Sequence, residues 1–126
     1  MSIFVNPNEL FEIKLNFFKI EDDNLSRIQI NNAGDHLLIC EASKRDFKTM
    51  SSIIEEATII NSVNGKPFLR NKILCFKIML NFIKSIKVVS SDSEEYFTIN
   101  ESNINNMEYD VVKAICKKWL EMTSGK

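Results

Sequence analysis

The stretch from Pro67 to Ser85 constrains the fold more than any other part of the sequence, because it reads as a helix that is apolar around most of its circumference. At roughly 100° per residue, its polar side chains fall on one narrow stripe: Arg70, Lys77, Asn81 and Lys84. Such a helix is buried on several sides. It is too short and too charged to span a bilayer, which takes ~20 mostly apolar residues. The sequence therefore predicts a central core helix, with Phe76 and Leu80 among its core residues.

The composition favours a single soluble globular domain, predicted as residues 1–126. A chain of 126 residues can bury roughly two-thirds of its unfolded surface. Its net charge of −1 gives no electrostatic case for nucleic acid or an anionic membrane surface as a partner. The start, Met-Ser-Ile-Phe, lacks the charged region and the long apolar core of a signal peptide.

Three strands are predicted in the N-terminal third of the chain. From Leu10 to Ile20, apolar and polar residues alternate, which is the period of a half-buried strand. Phe18 and Ile20 break this alternation at the far end. Shorter strands follow at Ser26–Ile30 and Leu37–Ala42, and the polar turns between them favour an antiparallel β-meander.

Helical periods dominate the rest of the chain. Ser43-Lys-Arg-Asp46 resembles a capping box, so a helix is predicted from Ser43 to near Ile60. After the core helix come a hairpin, a short turn capped by Asn100 and a last helix, predicted at Ile86–Val89 with Tyr96–Ile99, at Asn100–Ile104 and at Glu108–Met122. The fold class is therefore α+β: an N-terminal antiparallel β-meander packed against three main helices, with a small β-hairpin before the last helix.

The sequence contains no recognisable catalytic constellation. His36 is the only histidine, and Cys40 lies four residues along the same predicted strand, roughly 13 Å away at ~3.3 Å per residue. Cys40, Cys75 and Cys116 each have apolar neighbours, so they are predicted to be buried, free and inert thiols. We therefore expect no catalytic, cofactor-binding or metal-binding residue, and a protein that is not an enzyme.

From about Leu37 to Met122, the chain resembles the small tail and baseplate assembly proteins of tailed bacteriophages, of the tail assembly chaperone or hub type. The resemblance rests on the order of five segments: Ser43–Phe47, Leu69–Leu74, Ile83–Lys87, Tyr96–Asn100 and Tyr109–Val112. The acidic-Gly hairpin tip usual in such proteins is replaced by Ser-Asp-Ser-Glu, which leaves the subtype open.

The resemblance implies a non-enzymatic bacteriophage tail or baseplate assembly or structural protein that acts through protein–protein contacts. Its partners would be other phage tail or baseplate proteins, and it would work in the host cytoplasm. The sequence leaves open whether it forms an oligomer and whether it is retained in the virion. A small bacterial adaptor or immunity-type binding protein is the alternative, and an enzyme that uses a single cysteine is a third class.

Four residues are predicted to bind partners. Phe18 and Ile20 are apolar residues in addition to those that form one buried face of their strand. Such additional apolar residues indicate a second surface that is covered in an interface. Trp119 and Met122 lie near the end of the last helix, and Trp is enriched among interface anchors. The alternative is that all four residues complete the core of the monomer.

Overall fold

A five-stranded antiparallel sheet with four helices forms the protein, and the predicted α+β class is confirmed. The computed structural model describes residues 3–124. The strands are β1 (Leu10–Asp22), β2 (Leu25–Ile30), β3 (His36–Ser43), β4 (Thr58–Ile60), β5 (Pro67–Leu69), β6 (Ile83–Val89) and β7 (Glu94–Phe97). The helices are α1 (Phe47–Ala57), α2 (Asn71–Phe82), α3 (Glu101–Asn105) and α4 (Tyr109–Thr123). Within residues 3–124, no helix is both long enough and apolar enough to cross a membrane.

The strand order in the main sheet is β2-β1-β3-β6-β7, so β1 lies between the two strands that follow it. The predicted β-meander is therefore wrong in its connectivity, because β2 and β3 do not pair with each other. The first part of β1, Leu10 to Phe17, pairs with β3, and the remainder, from Phe17 to Asp22, pairs with β2. The connection from β2 to β3 therefore crosses β1 at Phe17.

Gly34 allows this crossing, because the loop between β2 and β3 runs directly against the backbone of β1. A Cβ atom at Gly34 would lie 2.3 Å from the carbonyl carbon of Phe17, which is closer than any real Cβ contact. The Asn16 side chain donates a 3.3 Å hydrogen bond to the Gly34 carbonyl, and the Asn31 amide donates to the Asn16 carbonyl at 3.0 Å. Only glycine fits at this crossing.

The helices pack against one face of the sheet, and the core lies between the two layers. Side chains alternate along a strand, and the register places Ile13, Cys40 and Ile86 side by side on the core face. These three residues are buried in one cluster with Ile78 of α2 and Ile115 of α4.

The predicted core helix is shorter than Pro67–Ser85. Pro67–Leu69 forms β5, which pairs with β4, and β6 begins at Ile83. The helix is limited to α2, which contacts α1, α3, α4 and β6, so its burial on several sides is confirmed. Phe76 is half-buried against the core, but the prediction for Leu80 is wrong, because this side chain is 40% exposed.

The first helix also starts and ends elsewhere than predicted. Its N-cap is Asp46, whose carboxylate accepts a 2.9 Å hydrogen bond from the Thr49 amide. Ser43 cannot cap it, because this residue is the last of β3 and pairs with Leu10. The helix ends at Ala57, not near Ile60. The hydrogen bond from Thr49 lowers the pKa of Asp46.

The predicted C-terminal elements are present, although the second hairpin strand spans Glu94–Phe97 and not Tyr96–Ile99. β6 and β7 form the hairpin that precedes the last helix. The Asn100 side chain caps α3 by accepting a 2.8 Å hydrogen bond from the Asn103 amide, and α4 spans Tyr109–Thr123. The three cysteines are free and buried.

Replacing Gly34 by Ala should destabilise the fold by ~1–3 kcal/mol, the usual cost of inserting atoms where no space exists. The neighbouring exposed Ala33 offers a control, since Ala33→Ser should stay within about 0.5 kcal/mol. Urea denaturation of both variants measures the two effects. Equal stability of Gly34→Ala and the original protein would mean that the loop does not cross β1 here.

Phe82→Ala and Leu80→Ala should differ sharply, although both residues lie in α2. Phe82 is buried, so its truncation should cost ~3–5 kcal/mol. Truncation of the exposed Leu80 should cost about 1 kcal/mol or less. Denaturant unfolding measures both, and a larger effect at Leu80 would contradict the orientation of the helix.

Candidate functional site

The second face of the main sheet, which we call the open face, is the leading candidate site. It is formed by the residues of β1, β3, β6 and β7 that alternate with the core residues. Cross-strand pairing brings Asn16, Leu37 and Val89 into one row and Lys14, Ile39, Lys87 and Tyr96 into the next. Phe18 and Ile20 continue the face toward β2, where they pair with Gln29 and Arg27.

The centre of the open face is apolar. Its five aliphatic and aromatic residues are each partly exposed, and none belongs to the core or packs against it: Phe18, Ile20, Leu37, Ile39 and Val89. Tyr96 at the margin is 71% exposed. Apolar residues on the uncovered face of a sheet make this face a candidate for an interaction site.

Charged groups of both signs surround this apolar centre. The Glu12 carboxylate lies 3.8 Å from the Lys14 ammonium, and the Glu41 carboxylate accepts a 3.1 Å hydrogen bond from the Ser85 hydroxyl. The Lys87 ammonium lies 5.7 Å from the Tyr96 ring centroid. Exposed pairs contribute little to stability, so these side chains can exchange their contacts for those of a partner.

The four predicted partner-binding residues do not share one surface. Phe18 and Ile20 lie on the open face, as described, and Met122 is 47% exposed near the end of α4. Trp119 is completely buried, so its assignment as a docking residue is corrected. Its position on α4 directs it into the core, where its ring stacks on Phe82 with centroids 4.5 Å apart.

The hairpin of β4 and β5 is a second exposed apolar surface, which the sequence interpretation missed because it assigned both strands to helices. Its apolar residues are all exposed, and Val63 at the tip is 94% exposed. The other four are Ile59, Ile60, Phe68 and Leu69. The signal was available, because Asn64-Gly65 between two short apolar runs is typical of a hairpin turn. Gly65 adopts a φ of +69°.

One edge of the main sheet is covered and the other is short. The Ile28 amide in β2 donates a 3.1 Å hydrogen bond to the Glu108 carboxylate, and α4 contacts β2. At the other edge, β7 has four residues, beginning with Glu94 and Glu95. Covered, short and charged edges resist further strand pairing, so the open face is a better candidate than either edge.

The three cations of the predicted polar stripe, Arg70, Lys77 and Lys84, make contacts within the chain. Arg70 donates hydrogen bonds to the carbonyls of Glu56 and Ala57 at the end of α1, at 2.6 and 3.4 Å. The Lys77 ammonium lies 3.0 Å from the Glu56 carboxylate, and Lys84 donates to the Asn81 carbonyl at 3.1 Å. Arg70 and Lys77 therefore connect the start and the middle of the α2 region to the end of α1. Lys84 contacts the last turn of α2.

The thiols differ in acidity. Burial raises the pKa of Cys40 to about 12. Hydrogen bonding with the Cys116 thiol lowers the pKa of Cys75 to about 7 against the effect of burial, and nearby Lys113 lowers it further. The same hydrogen bonding, together with burial, raises the pKa of Cys116. Within this pair of thiols, the pKa of Cys75 is lowered and that of Cys116 is raised.

His36 is placed at the start of β3, as predicted, with its ring stacked on Phe17 at a centroid distance of 5.1 Å. Its Nδ1 lies 2.9 Å from the Asp35 carboxylate. Across the part of the chain that the structure describes, no three His, Cys, Asp or Glu side chains are grouped closely enough to hold a metal ion.

Comparison of the chain with protein-family models, with curated proteins and with solved structures finds no significant match.

Proposed function

We propose that this protein is a non-enzymatic binding protein whose open face docks onto another protein. The phage resemblance of its sequence suggests the setting: assembly of a bacteriophage tail or baseplate in the host cytoplasm, with other tail or baseplate proteins as partners. A small bacterial adaptor or immunity-type protein, which would use the same face, is the alternative.

The observation that carries this proposal is the set of five apolar side chains at the centre of the open face that the core leaves uncovered. Partly exposed residues such as Leu37 and Ile39 lie in the middle of the sheet, where a single-layer cover of helices on the other side cannot reach them. Their burial against a partner would contribute roughly 25 cal/mol per Å² of apolar surface.

The charges around this centre favour a protein as the partner. Lys14 and Lys87 are matched by Glu12 and Glu41 on the same face, so the face has no excess of positive charge. Nucleic acids and anionic membranes are recognised through such an excess. A protein interface, by contrast, commonly has an apolar centre and a polar rim.

The hairpin of β4 and β5 supplies a second surface for an assembly protein. Its exposed side chains follow α1 in the chain and precede α2, whereas the open face belongs to the main sheet. Two apolar surfaces on one domain suit a protein that connects two neighbours.

The substitution Phe18→Asp should weaken partner binding at least tenfold, which corresponds to about 1.4 kcal/mol, because it places a charge in the apolar centre. The tagged protein is co-expressed with the genes that flank its own, and co-purifying proteins are identified by mass spectrometry. Recovery of a tail or baseplate protein is expected, and recovery of a toxin would favour the immunity-type alternative. Phe68→Asp tests the hairpin in the same way.

The matched control is Lys117→Glu with Lys118→Glu, because both lysines are exposed on α4 away from the open face. This double variant should fold and should retain the partner. If Phe18→Asp unfolds the protein, as judged by circular dichroism, Ile39→Lys repeats the test on the same face. Full partner recovery by folded variants of both positions would contradict the proposal.

The thiols should behave as structural groups, which separates this proposal from a cysteine enzyme. Iodoacetamide should label the native protein slowly. Cys75 should react first, and its rate should rise as the pH increases through about 7, because the thiolate is the nucleophile. Cys40 and Cys116 should react only after unfolding. Mass spectrometry of the labelled protein measures this, and rapid native labelling of two or more thiols would favour the enzyme.

A further inference from the structure

A cavity of about 410 Å³ lies between the core face of the sheet and the short helix α3. The sheet side is formed by residues from β2, β3, β6 and β7, and the other side by α3 and the start of α4. Its buried apolar lining includes Leu38, Ile86, Ile104 and Val111. Half-buried Val88, Ile99 and Met107 lie nearer the solvent.

This cavity opens to solvent, because the exposed residues Phe97 and Glu108 form part of its lining, so it is a cleft at the surface and not a void in the core. Its volume falls within the range of ~300–1,000 Å³ usual for small-molecule sites, which are mainly apolar and carry a few polar groups. Its lining combines apolar side chains with Thr98, Asn103, Asn106 and Glu108, so it suits a ligand that has both an apolar part and a polar group.

One side of the cavity is polar, and this side would determine how a ligand is oriented. The Asn103 side chain is already engaged, since its amide donates a 2.8 Å hydrogen bond to the Thr98 carbonyl. Glu108 is the one charged residue among the described residues that line the cavity. One of its oxygens, Oε2, accepts from the Ile28 amide, and Oε1 has no hydrogen bond within residues 3–124.

A neighbouring hollow of about 270 Å³ extends the apolar surface toward the turn between β6 and β7. Both spaces are lined by Ile28, Leu38, Val88 and Phe97, so a ligand can extend from one into the other. The charged side chains of this second hollow, apart from His36, are Lys19 and Glu95. Their charges offset each other, so Glu108 determines which charge the site prefers.

We propose that the cavity binds a small molecule with a hydrocarbon body and a protonated amine. The hydrocarbon packs against Leu38, Val88 and Ile86, and the ammonium group donates to Oε1 of Glu108. A charge-assisted hydrogen bond of this type is roughly twice as strong as a neutral one. A carboxylate of the same length would bring a second negative charge to Glu108, so it binds more weakly.

Three ligands of one chain length test the charge preference: octylamine, octanol and octanoate, titrated by isothermal calorimetry at pH 7. We expect octylamine to bind at least tenfold more tightly than octanoate, with octanol between them. In Glu108→Gln, the side-chain oxygen still accepts from the Ile28 amide, so the fold is kept, but the advantage of octylamine over octanol should disappear.

Val88→Phe and Val89→Phe locate the binding site. Neighbouring residues of one strand point to opposite faces, so the first substitution fills the cavity and the second enlarges the open face. Octylamine affinity should fall at least tenfold in Val88→Phe and stay unchanged in Val89→Phe. If Val88→Phe does not fold, Ile99→Trp at the half-buried side fills the same space.

Three results would overturn the proposal. They are the absence of octylamine binding to the original protein, undiminished binding to a folded cavity-filled variant, and equal binding of octanoate. Loss of a co-purifying protein in Val88→Phe, without octylamine binding to the original protein, would assign the cavity to a side chain of a protein partner. The small-molecule proposal would then be wrong, whereas the docking role of the open face is tested separately by Phe18→Asp.

Discussion

The packing of Trp119 holds the two layers of this protein together. Its indole nitrogen donates a 2.9 Å hydrogen bond to the Ser43 carbonyl at the end of β3, and its ring stacks on Phe82 at the end of α2. Arg45 covers the ring, with its guanidinium 5.3 Å from the centroid, and donates to the Leu120 carbonyl at 3.1 Å. One side chain thus fixes α4 against the points where β3 ends and where α2 passes into β6, so the helices are kept on a single face of the sheet.

This arrangement produces both candidate sites. A sheet covered on one side needs no second layer if its other face is polar, as in many antiparallel sheets. Here the centre of the uncovered face contains Leu37, Ile39 and Val89 and is therefore apolar, as in a surface that packs against a partner. On the helical side, α2 and α4 contact the strands, but the five-residue α3 is too short to fill the space beneath β7, and the cavity remains.

The fold class and most elements could be predicted from the sequence, because the alternation in β1 and the helical period of α4 are local signals. The strand order could not, because the crossing at Gly34 depends on a contact with Phe17 that no local pattern reports. Short apolar runs such as Pro67–Leu69 are ambiguous between strand and helix, which hid the exposed hairpin. For the candidate site, Phe18 and Ile20 could be identified as surplus apolar residues. The burial of Trp119 depends on how α4 is rotated against α2, and the cavity depends on how six elements meet.

The two candidate sites lie on opposite faces of the same sheet. Val88 lines the cavity and Val89 lies on the open face, and alternation gives the same division along β3, where Leu38 and Leu37 point in opposite directions. The sites therefore share backbone but no side chain. A substitution that only changes side-chain volume on one face leaves the other chemically intact, so loss of both binding activities in one variant would point to disruption of the sheet itself. Coupling between a ligand in the cavity and a partner on the open face would have to pass through the twist or spacing of β3 and β6, the strands that contribute to both.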